Sequence, residues 1–213
     1  MTSTSAPLEE RLDFGGLSIT FDQRVLRPRP WTAGQSRWAA ELLRTAPPGD
    51  VLELCAGVGH IGLLAVRSTE RRLVMVDLNE VACSFARVNA AAAAPAGGFE
   101  VRQGRLETAV PATERYAGIL ADPPYVPSHG THRYPEDPLL AIDGGADGLD
   151  VAQQCLQVVD AHLAPGGWCL LQLATPEQAS LLTAQLPGSG LGLVARETRE
   201  YDGHGVVVHL ARS

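Results

Sequence analysis

Short apolar runs alternate with amphipathic stretches along most of the chain. Strand-like runs occupy residues 51–54, 73–77, 99–103, 118–122, 166–174, 193–201 and 206–212. Between them, apolar residues recur every three or four positions, as expected for helices at 60–67, 80–94, 106–109, 148–163 and 176–186. This alternation predicts an α/β fold with a doubly wound, mostly parallel seven-stranded sheet. A turn signal at 202–205 makes the last two strands a C-terminal antiparallel hairpin.

Two helices show their predicted buried faces most clearly. In the helix at 80–94, Val81, Phe85 and Val88 fall on one face. In the helix at 148–163, the pattern repeats over five residues, namely Leu149, Ala152, Leu156, Val159 and Leu163. Both faces are predicted to pack on the sheet.

The first 48 residues precede this alternation. They predict a β-hairpin within 11–26, a proline-rich loop at 27–34 and a helix at 35–44, which buries Trp38, Leu42 and Leu43. We therefore expect an N-terminal hairpin and helix extension over 1–48 and a ligand-binding core over 49–213.

A glycine-rich turn follows the first core strand. Gly57, Gly59 and Gly62 match the dinucleotide fingerprint, and Asp77 lies 20 positions after Gly57, as in NAD sites. S-adenosylmethionine (SAM) is the alternative. It suits Glu53, four positions before Gly57, because a carboxylate there can help hold the cationic methionine end and would repel a pyrophosphate.

We favour SAM at this turn. Glu53, Gly57 and Gly59 are expected to hold the methionine end, and Asp77 the ribose hydroxyls. The full set of predicted cofactor-binding residues is Glu53, Cys55, Ala56, Gly57, Gly59, Asp77, Leu78, Gln103 and Asp122.

A second motif, Asp122-Pro123-Pro124-Tyr125, ends the fourth core strand. Carboxyl ends of parallel strands meet at one edge of the sheet, so Asp122 is expected beside the glycine turn. The Asp122 carboxylate and the Pro123 carbonyl can accept both hydrogens of an NH2 group, and Tyr125 can stack on the planar group that carries it. The pattern predicts methyl transfer to a planar nitrogen, with Asp122, Pro123 and Tyr125 as the catalytic residues.

The sequence resembles the HemK/PrmC-type class I SAM-dependent methyltransferases over about residues 24–213. The blocks that carry the resemblance are RPRPWT at 27–32, ELCAGVGHIG at 53–62, VDLNEVACSFARVNA at 76–90, ADPPYVP at 121–127, GGADGLDV at 144–151 and APGGWCLLQL at 164–173. The resemblance implies a methyl acceptor such as a protein glutamine amide. It also implies the short branch that lacks the family's N-terminal helical domain.

Two departures from the family pattern bear on the substrate. The family usually has Asn where this chain has Asp122, and Asp there is more common in DNA adenine and ribosomal RNA guanine methyltransferases. A nucleic-acid base or a small molecule is therefore an alternative acceptor. Gln103 also stands where an acidic residue often contacts adenine.

The entry loop and two histidines supply weaker candidates. Pro30, Trp31 and Thr32 match the family loop that closes over cofactor and substrate, and Pro124 and His129 complete the predicted substrate-binding set. The H-x-x-H spacing of His129 and His132 lacks nearby partners, so no metal site is expected. His204, in the terminal turn, is a further candidate contact.

Composition narrows the class of protein. The formal net charge is −7 and the pI about 5.3, which disfavours a large nucleic-acid footprint. The four cysteines form no C-x-x-C pair, so we expect reduced thiols and a cytoplasmic protein. No apolar run is long enough to span a membrane.

Three hypotheses remain open from the sequence. The first is the SAM-dependent N-methyltransferase with a protein or small-molecule acceptor. The second is an NAD(P)-binding oxidoreductase, which gives no role to Asp122-Pro-Pro-Tyr125. The third is a non-catalytic SAM-fold subunit that needs a partner subunit; a homodimer is also open.

Overall fold

The computed structural model describes residues 7–201 and 203–213. The N-terminal part is the predicted hairpin, β1 (Glu10–Phe14) paired antiparallel with β2 (Leu17–Phe21), followed by a 3-10 turn (Pro30–Thr32) and helix α1 (Ala33–Leu43). The hairpin and the helix are thus confirmed. Trp38 and Leu43 are buried as predicted, whereas Leu42 is half-buried.

The rest of the chain alternates strands and helices close to the predicted positions. The strands are β3 (Asp50–Leu54), β4 (Leu73–Asp77), β5 (Phe99–Gln103), β6 (Tyr116–Ala121), β7 (Leu163–Leu173), β8 (Leu193–Glu200) and β9 (Val206–Arg212). The helices are α2 (His60–Val66), α3 (Glu80–Ala93), α4 (Leu106–Ala109), α5 (Leu139–Ile142), α6 (Asp150–His162) and α7 (Pro176–Gln185). Two further 3-10 turns cover Ser128–Arg133 and Leu186–Gly188.

The strands form one seven-stranded sheet in the order β5-β4-β3-β6-β7-β9-β8. The strands from β5 to β7 run parallel, while β9 lies antiparallel between β7 and β8. The predicted fold class and its antiparallel C-terminal hairpin are confirmed. In the predicted turn at 202–205, which joins β8 to β9, Asp202 lies outside the described residues.

The order of the strands reverses at β3. From there the chain moves outward through β4 and β5, then returns to add β6 on the other side of β3. Leu54 pairs with Ala121, so the segments that follow β3 and β6 leave the sheet side by side. Ligands of open α/β sheets bind at such a reversal, outside the carboxyl ends of the strands.

Two apolar cores cover the two faces of the sheet. One contains Phe14, Trp38 and Phe85, from the hairpin, α1 and α3, and the other contains Leu156 and Leu182, from α6 and α7. Because the hairpin shares a core with the sheet, the described residues up to 48 (7–48) pack as part of this layer. The division of the chain at residue 48 stays a prediction.

The buried face of α3 differs from the prediction. Phe85 is buried, but Val81 is only half-buried and Val88 is 53% exposed. Small residues occupy the buried face instead, together with Asn89, whose side-chain amide bonds the Thr20 backbone and the Val58 carbonyl. The sequence pattern missed this face because it counted large apolar residues, whereas β2 packs closely on alanines. The face of α6 is confirmed, since Leu149, Ala152, Leu156, Val159 and Leu163 are all buried.

None of the helices in the described part of the chain has the length and apolar character that crossing a bilayer requires.

Candidate active site

A cavity of about 700 Å³ opens at the carboxyl ends of β3, β4 and β6. Its wall includes the turn after β3, the end of β4 and the segment that follows β6. Eight of the residues predicted from the sequence line it, namely Thr32, Cys55, Ala56, Gly57, Asp77, Leu78, Asp122 and Pro124. The predicted meeting of the glycine turn and Asp122 at one edge is therefore observed.

The other predicted residues lie around the cavity without lining it. Glu53 is behind the glycine turn, Gln103 is exposed at the end of β5, and His129 is exposed in a 3-10 turn. The remainder of this group is Pro30, Trp31, Gly59, Pro123 and Tyr125. Their roles toward ligands stay proposals.

The turn after β3 is built from left-handed backbone conformations. Cys55, Gly57 and Gly59 have φ values of 54°, 54° and 80°. A Cβ on Gly57 would meet no protein atom within 4 Å, so this backbone faces open space in the cavity. A Cβ on Gly59 would lie 2.7 Å from Met75 Sδ, so Gly59 is required for packing on β4.

Glu53 supports this turn from beneath. Its Oε1 accepts the Gly62 N–H at 3.0 Å, and its Oε2 is buried without a hydrogen-bond partner among the described residues. A Cβ on Gly62 would lie 2.4 Å from that Oε2, so the third glycine makes room for the carboxyl group. Burial, with the nearby charges of Asp122 and Asp77, raises the pKa of Glu53 to about 8.

Asp77 connects β4 to the glycine turn. Its Oδ2 accepts the Gly57 N–H at 2.7 Å, and its Oδ1 accepts the Asn79 N–H at 2.8 Å. Burial nevertheless raises the pKa of Asp77 above its ordinary value. Asn79 in turn caps α3, because its side-chain oxygen accepts the Val81 N–H at 2.9 Å. Asp77 therefore holds the glycine turn in place, and Asp77 itself also lines the cavity.

Asp122 lines the cavity directly after β6, beside the segment that follows β3. Burial raises its pKa to about 7. Tyr125 lies close enough for the Asp122 charge to act on it, and burial raises the pKa of Tyr125 above its ordinary value. The tyrosine is therefore neutral at physiological pH, and Asp122 can both hold and release a proton there.

The GGADGLD block backs the Asp122-Pro-Pro-Tyr125 segment. Val126 forms a parallel bridge with Asp143, and the Gly144 N–H donates to the Val126 carbonyl at 2.9 Å. A Cβ on Gly144 would lie 2.6 Å from the Pro124 carbonyl oxygen, and one on Gly148 would lie 2.2 Å from that of Tyr125. These glycines let two backbones touch, which explains why the two motifs occur together.

The predicted entry loop closes another side of the cavity, and it contacts His60, which the sequence did not single out. The Thr32 hydroxyl donates to the Arg29 carbonyl at 2.8 Å, so it accepts from His60 Nε2 at 3.4 Å. Burial lowers the pKa of His60 to about 3, so its ring is neutral. Trp31 stacks on His204, with ring centroids 4.7 Å apart, and Arg29 pairs with Asp137 at 2.5 Å.

The charge of the lining favours a cationic ligand. Its acidic members are Asp77, Glu107, Asp122, Asp143 and Asp150, against Arg27, Arg29 and Arg105. The ammonium and sulfonium groups of SAM suit this set, and the open space at Gly57 suits a backbone approach by the ligand. The residues present therefore fit SAM. Among the described residues, no cluster of His, Cys, Asp and Glu is suited to a metal ion.

Between pH 6.5 and 8 we expect the free energy of unfolding to fall as the pH rises. The pKa values of Glu53 and Asp122, about 8 and about 7, exceed those of unfolded carboxyls, so the folded protein binds more protons across this range. His60 acts in the opposite direction, but only between its folded pKa of about 3 and its ordinary value of 6.5.

Urea unfolding at pH 6.5 and pH 8 measures this dependence. Glu53→Gln keeps the acceptor for the Gly62 N–H and removes the titration, so its stability should change less with pH than that of the wild type. A wild-type stability that rises between these pH values would contradict the assignment.

Comparisons with known proteins agree with this geometry. Residues 35–140 match the model of the Methyltransferase small domain family. The chain is 35% identical to the release factor glutamine methyltransferase of Deinococcus radiodurans, over 86% of this chain and 66% of that protein. It is 34% identical to the release factor glutamine methyltransferase of Cereibacter sphaeroides (87% and 66%), and 29% identical to the ribosomal protein uL3 glutamine methyltransferase of Bradyrhizobium diazoefficiens (79% and 57%). The chain thus spans about two thirds or less of these relatives.

Solved structures share the fold at low sequence identity. The hMettl16 catalytic domain, in complex with a MAT2A 3'UTR hairpin, matches with a TM-score of 0.71 at 16% identity. The match covers 94% of this chain and 75% of the hMettl16 chain. The Pyrococcus abyssi tRNA (uracil-54, C5)-methyltransferase, in complex with S-adenosyl-L-homocysteine, matches with a TM-score of 0.60 at 16% identity. The match covers 95% of this chain and 44% of that enzyme's chain.

Proposed function

Because the chain belongs to the HemK/PrmC-type family of class I, SAM-dependent methyltransferases, we propose that it transfers a methyl group from SAM to a planar nitrogen. One observation carries the proposal. The glycine turn after β3 and Asp122 after β6 line the same cavity, at the point where the strand order reverses. A cofactor bound at the turn and an acceptor bound at Asp122 would therefore be neighbours.

The cofactor is assigned to the side of the cavity formed by β3 and β4. The backbone of Cys55, Ala56 and Gly57 would hold the methionine end, and Asp77 and Leu78 would hold the ribose and the adenine side. Glu53 lies behind the turn with an unpartnered Oε2, so its support to the ammonium group would pass through water. When bound, SAM supplies a methyl group on a positively charged sulfur.

The acceptor nitrogen is assigned to Asp122. Its carboxylate and the Pro123 carbonyl would accept the two hydrogens of an NH2 group and so direct the nitrogen lone pair. As the nitrogen gains positive charge, Asp122 stabilises that charge and takes the released proton. Tyr125, which is neutral, would stack on the planar group. Most of the rate enhancement would come from orientation.

We propose that the acceptor is a protein glutamine amide. The support is the activity of the relatives, which are glutamine methyltransferases of release factors and of ribosomal protein uL3. The acidic lining opposes a phosphate-rich ligand and also opposes the pyrophosphate of NAD(P).

Transfer of radiolabelled methyl groups from SAM to a cell lysate tests the acceptor class. After incubation, the lysate is separated into protein, nucleic-acid and small-molecule fractions. We expect the label in protein, on a glutamine side chain. Label confined to nucleic acid would instead identify a base nitrogen as the acceptor, which would agree with the aspartate at position 122. Label confined to small molecules would reject the protein acceptor.

A further inference from the structure

The centre of the Asp122-Pro-Pro-Tyr125 segment has no backbone N–H groups that could hold it in place by hydrogen bonds. Pro123 and Pro124 lack a backbone N–H, so the usual hydrogen bonds that fix a strand exit are missing there. The carbonyl group of Ala121, just before the segment, and that of Tyr125, its last residue, are instead held from outside. Two glutamine side chains, from helices on opposite faces of the sheet, donate to them.

Gln35 of α1 holds the residue before the segment. Its Nε2 donates to the Ala121 carbonyl at 3.2 Å and to the Leu170 carbonyl at 3.0 Å, so it joins the end of β6 to β7. The side chain is fully buried. Because both partners are carbonyl oxygens, only the NH2 end of the amide can face them.

Gln178 of α7 holds the last residue of the segment. Its Nε2 donates to the Tyr125 carbonyl at 3.0 Å and to the Asp147 carbonyl at 3.1 Å, and its Oε1 accepts the Ala174 N–H at 3.0 Å. A Cβ on Gly148 would lie 2.5 Å from the Gln178 Nε2, so the amide is closely packed. It links Tyr125 to the GGADGLD block and to the end of β7.

We propose that Gln35 and Gln178 are positioning residues, which clamp the two ends of the Asp122-Pro-Pro-Tyr125 segment so that it presents its acceptor groups to the cavity. The inference rests on the proposed methyl transfer for its functional consequence, but the clamp itself can be measured without activity. A displacement of about 1 Å at such a site can cost about 100-fold in rate.

Gln178→Glu is the informative substitution, because it keeps the size of the side chain. At neutral pH the carboxylate cannot donate to the Tyr125 and Asp147 carbonyls and is repelled by them. When protonated at lower pH, it can donate to one of them again. Gln178→Leu removes the donor at every pH, and Gln185→Glu, at an exposed position of the same helix, is the matched control.

The first measurement is amide hydrogen exchange. The Val126 N–H donates to the Ile142 carbonyl at 2.9 Å, and the Gly144 N–H donates to Val126, so both report on the segment. At pH 7.5 we expect Gln178→Glu and Gln178→Leu to speed the exchange of these two amides about tenfold relative to wild type. Gln185→Glu should leave it unchanged.

The second measurement is methyl transfer to the labelled lysate fraction, together with SAM affinity by calorimetry. At pH 8, Gln178→Glu is expected to transfer methyl groups about 10- to 100-fold more slowly than wild type, with SAM affinity retained. The ratio of its rate to that of wild type at the same pH should rise toward one as the pH falls to about 5.5. Gln178→Leu should not recover. Unchanged exchange in both variants would overturn the clamp, and so would equal loss of rate without recovery in Gln178→Glu. A wild type that transfers no label rejects the proposed function, while the exchange result still decides the clamp.

Discussion

Replacing Asp122 with alanine is expected to lower the rate of methyl transfer by about 100- to 1,000-fold, because the acceptor nitrogen loses its negatively charged partner. The affinity for SAM should change by about threefold or less, since the assigned cofactor contacts lie on the turn after β3 and at the end of β4. Labelled methyl transfer and calorimetry measure the two quantities separately. Asp13→Ala, at an exposed position of the β1–β2 hairpin, is the control.

Asp122→Asn separates charge from hydrogen bonding. Burial holds the pKa of Asp122 at about 7, and a bound cation would lower it, so the wild-type rate should rise with pH up to about 7 or below. The asparagine variant should lose this acid limb. An Asp122→Ala protein that transfers methyl groups within threefold of wild type would reject the acceptor assignment.

Gly57→Leu is expected to weaken SAM binding by about 100-fold or more, because its side chain would enter the space that the ligand backbone contact requires. A Cβ at this position meets no protein atom within 4 Å, so the folded protein has room for the side chain. The φ of 54° adds a strain of about 1 kcal/mol to folding. Calorimetric titration with SAM measures the loss.

Gly98→Leu is a matched control for the strain. Gly98 has a φ of 78°, its Cβ would also meet no atom within 4 Å, and it precedes β5 outside the cavity lining. It should lose similar stability and bind SAM as the wild type does. Equal loss of binding in both variants, or normal binding in Gly57→Leu, would contradict the placement of the cofactor.

The meeting of the two motifs could be predicted because it follows from topology. Parallel strands end at one edge, so a glycine turn after β3 and Asp122 after β6 had to lie near each other once the alternation of elements was recognised. Local patterns likewise predicted the hairpin, the antiparallel last strand and, among the described residues, every helix except α5.

Features that depend on contacts between residues distant in the sequence could not be predicted and became visible only in the structure. Periodicity could not show that Glu53 lies behind the turn, where burial keeps it protonated at neutral pH, because the sequence identifies a charge but not its surroundings. Gln35 contacts Ala121 across 86 positions and Gln178 contacts Tyr125 across 53, and neither belongs to a recognisable motif. The exposure of Val88 likewise depends on how closely β2 packs on the alanines of α3.

Calorimetric titration of the purified protein with SAM and with NADH shows which of the two cofactors this cavity binds. One SAM should bind per chain and be displaced by S-adenosylhomocysteine, and NADH should give no binding heat. Binding of NADH without any heat from SAM would contradict the assignment of this cavity.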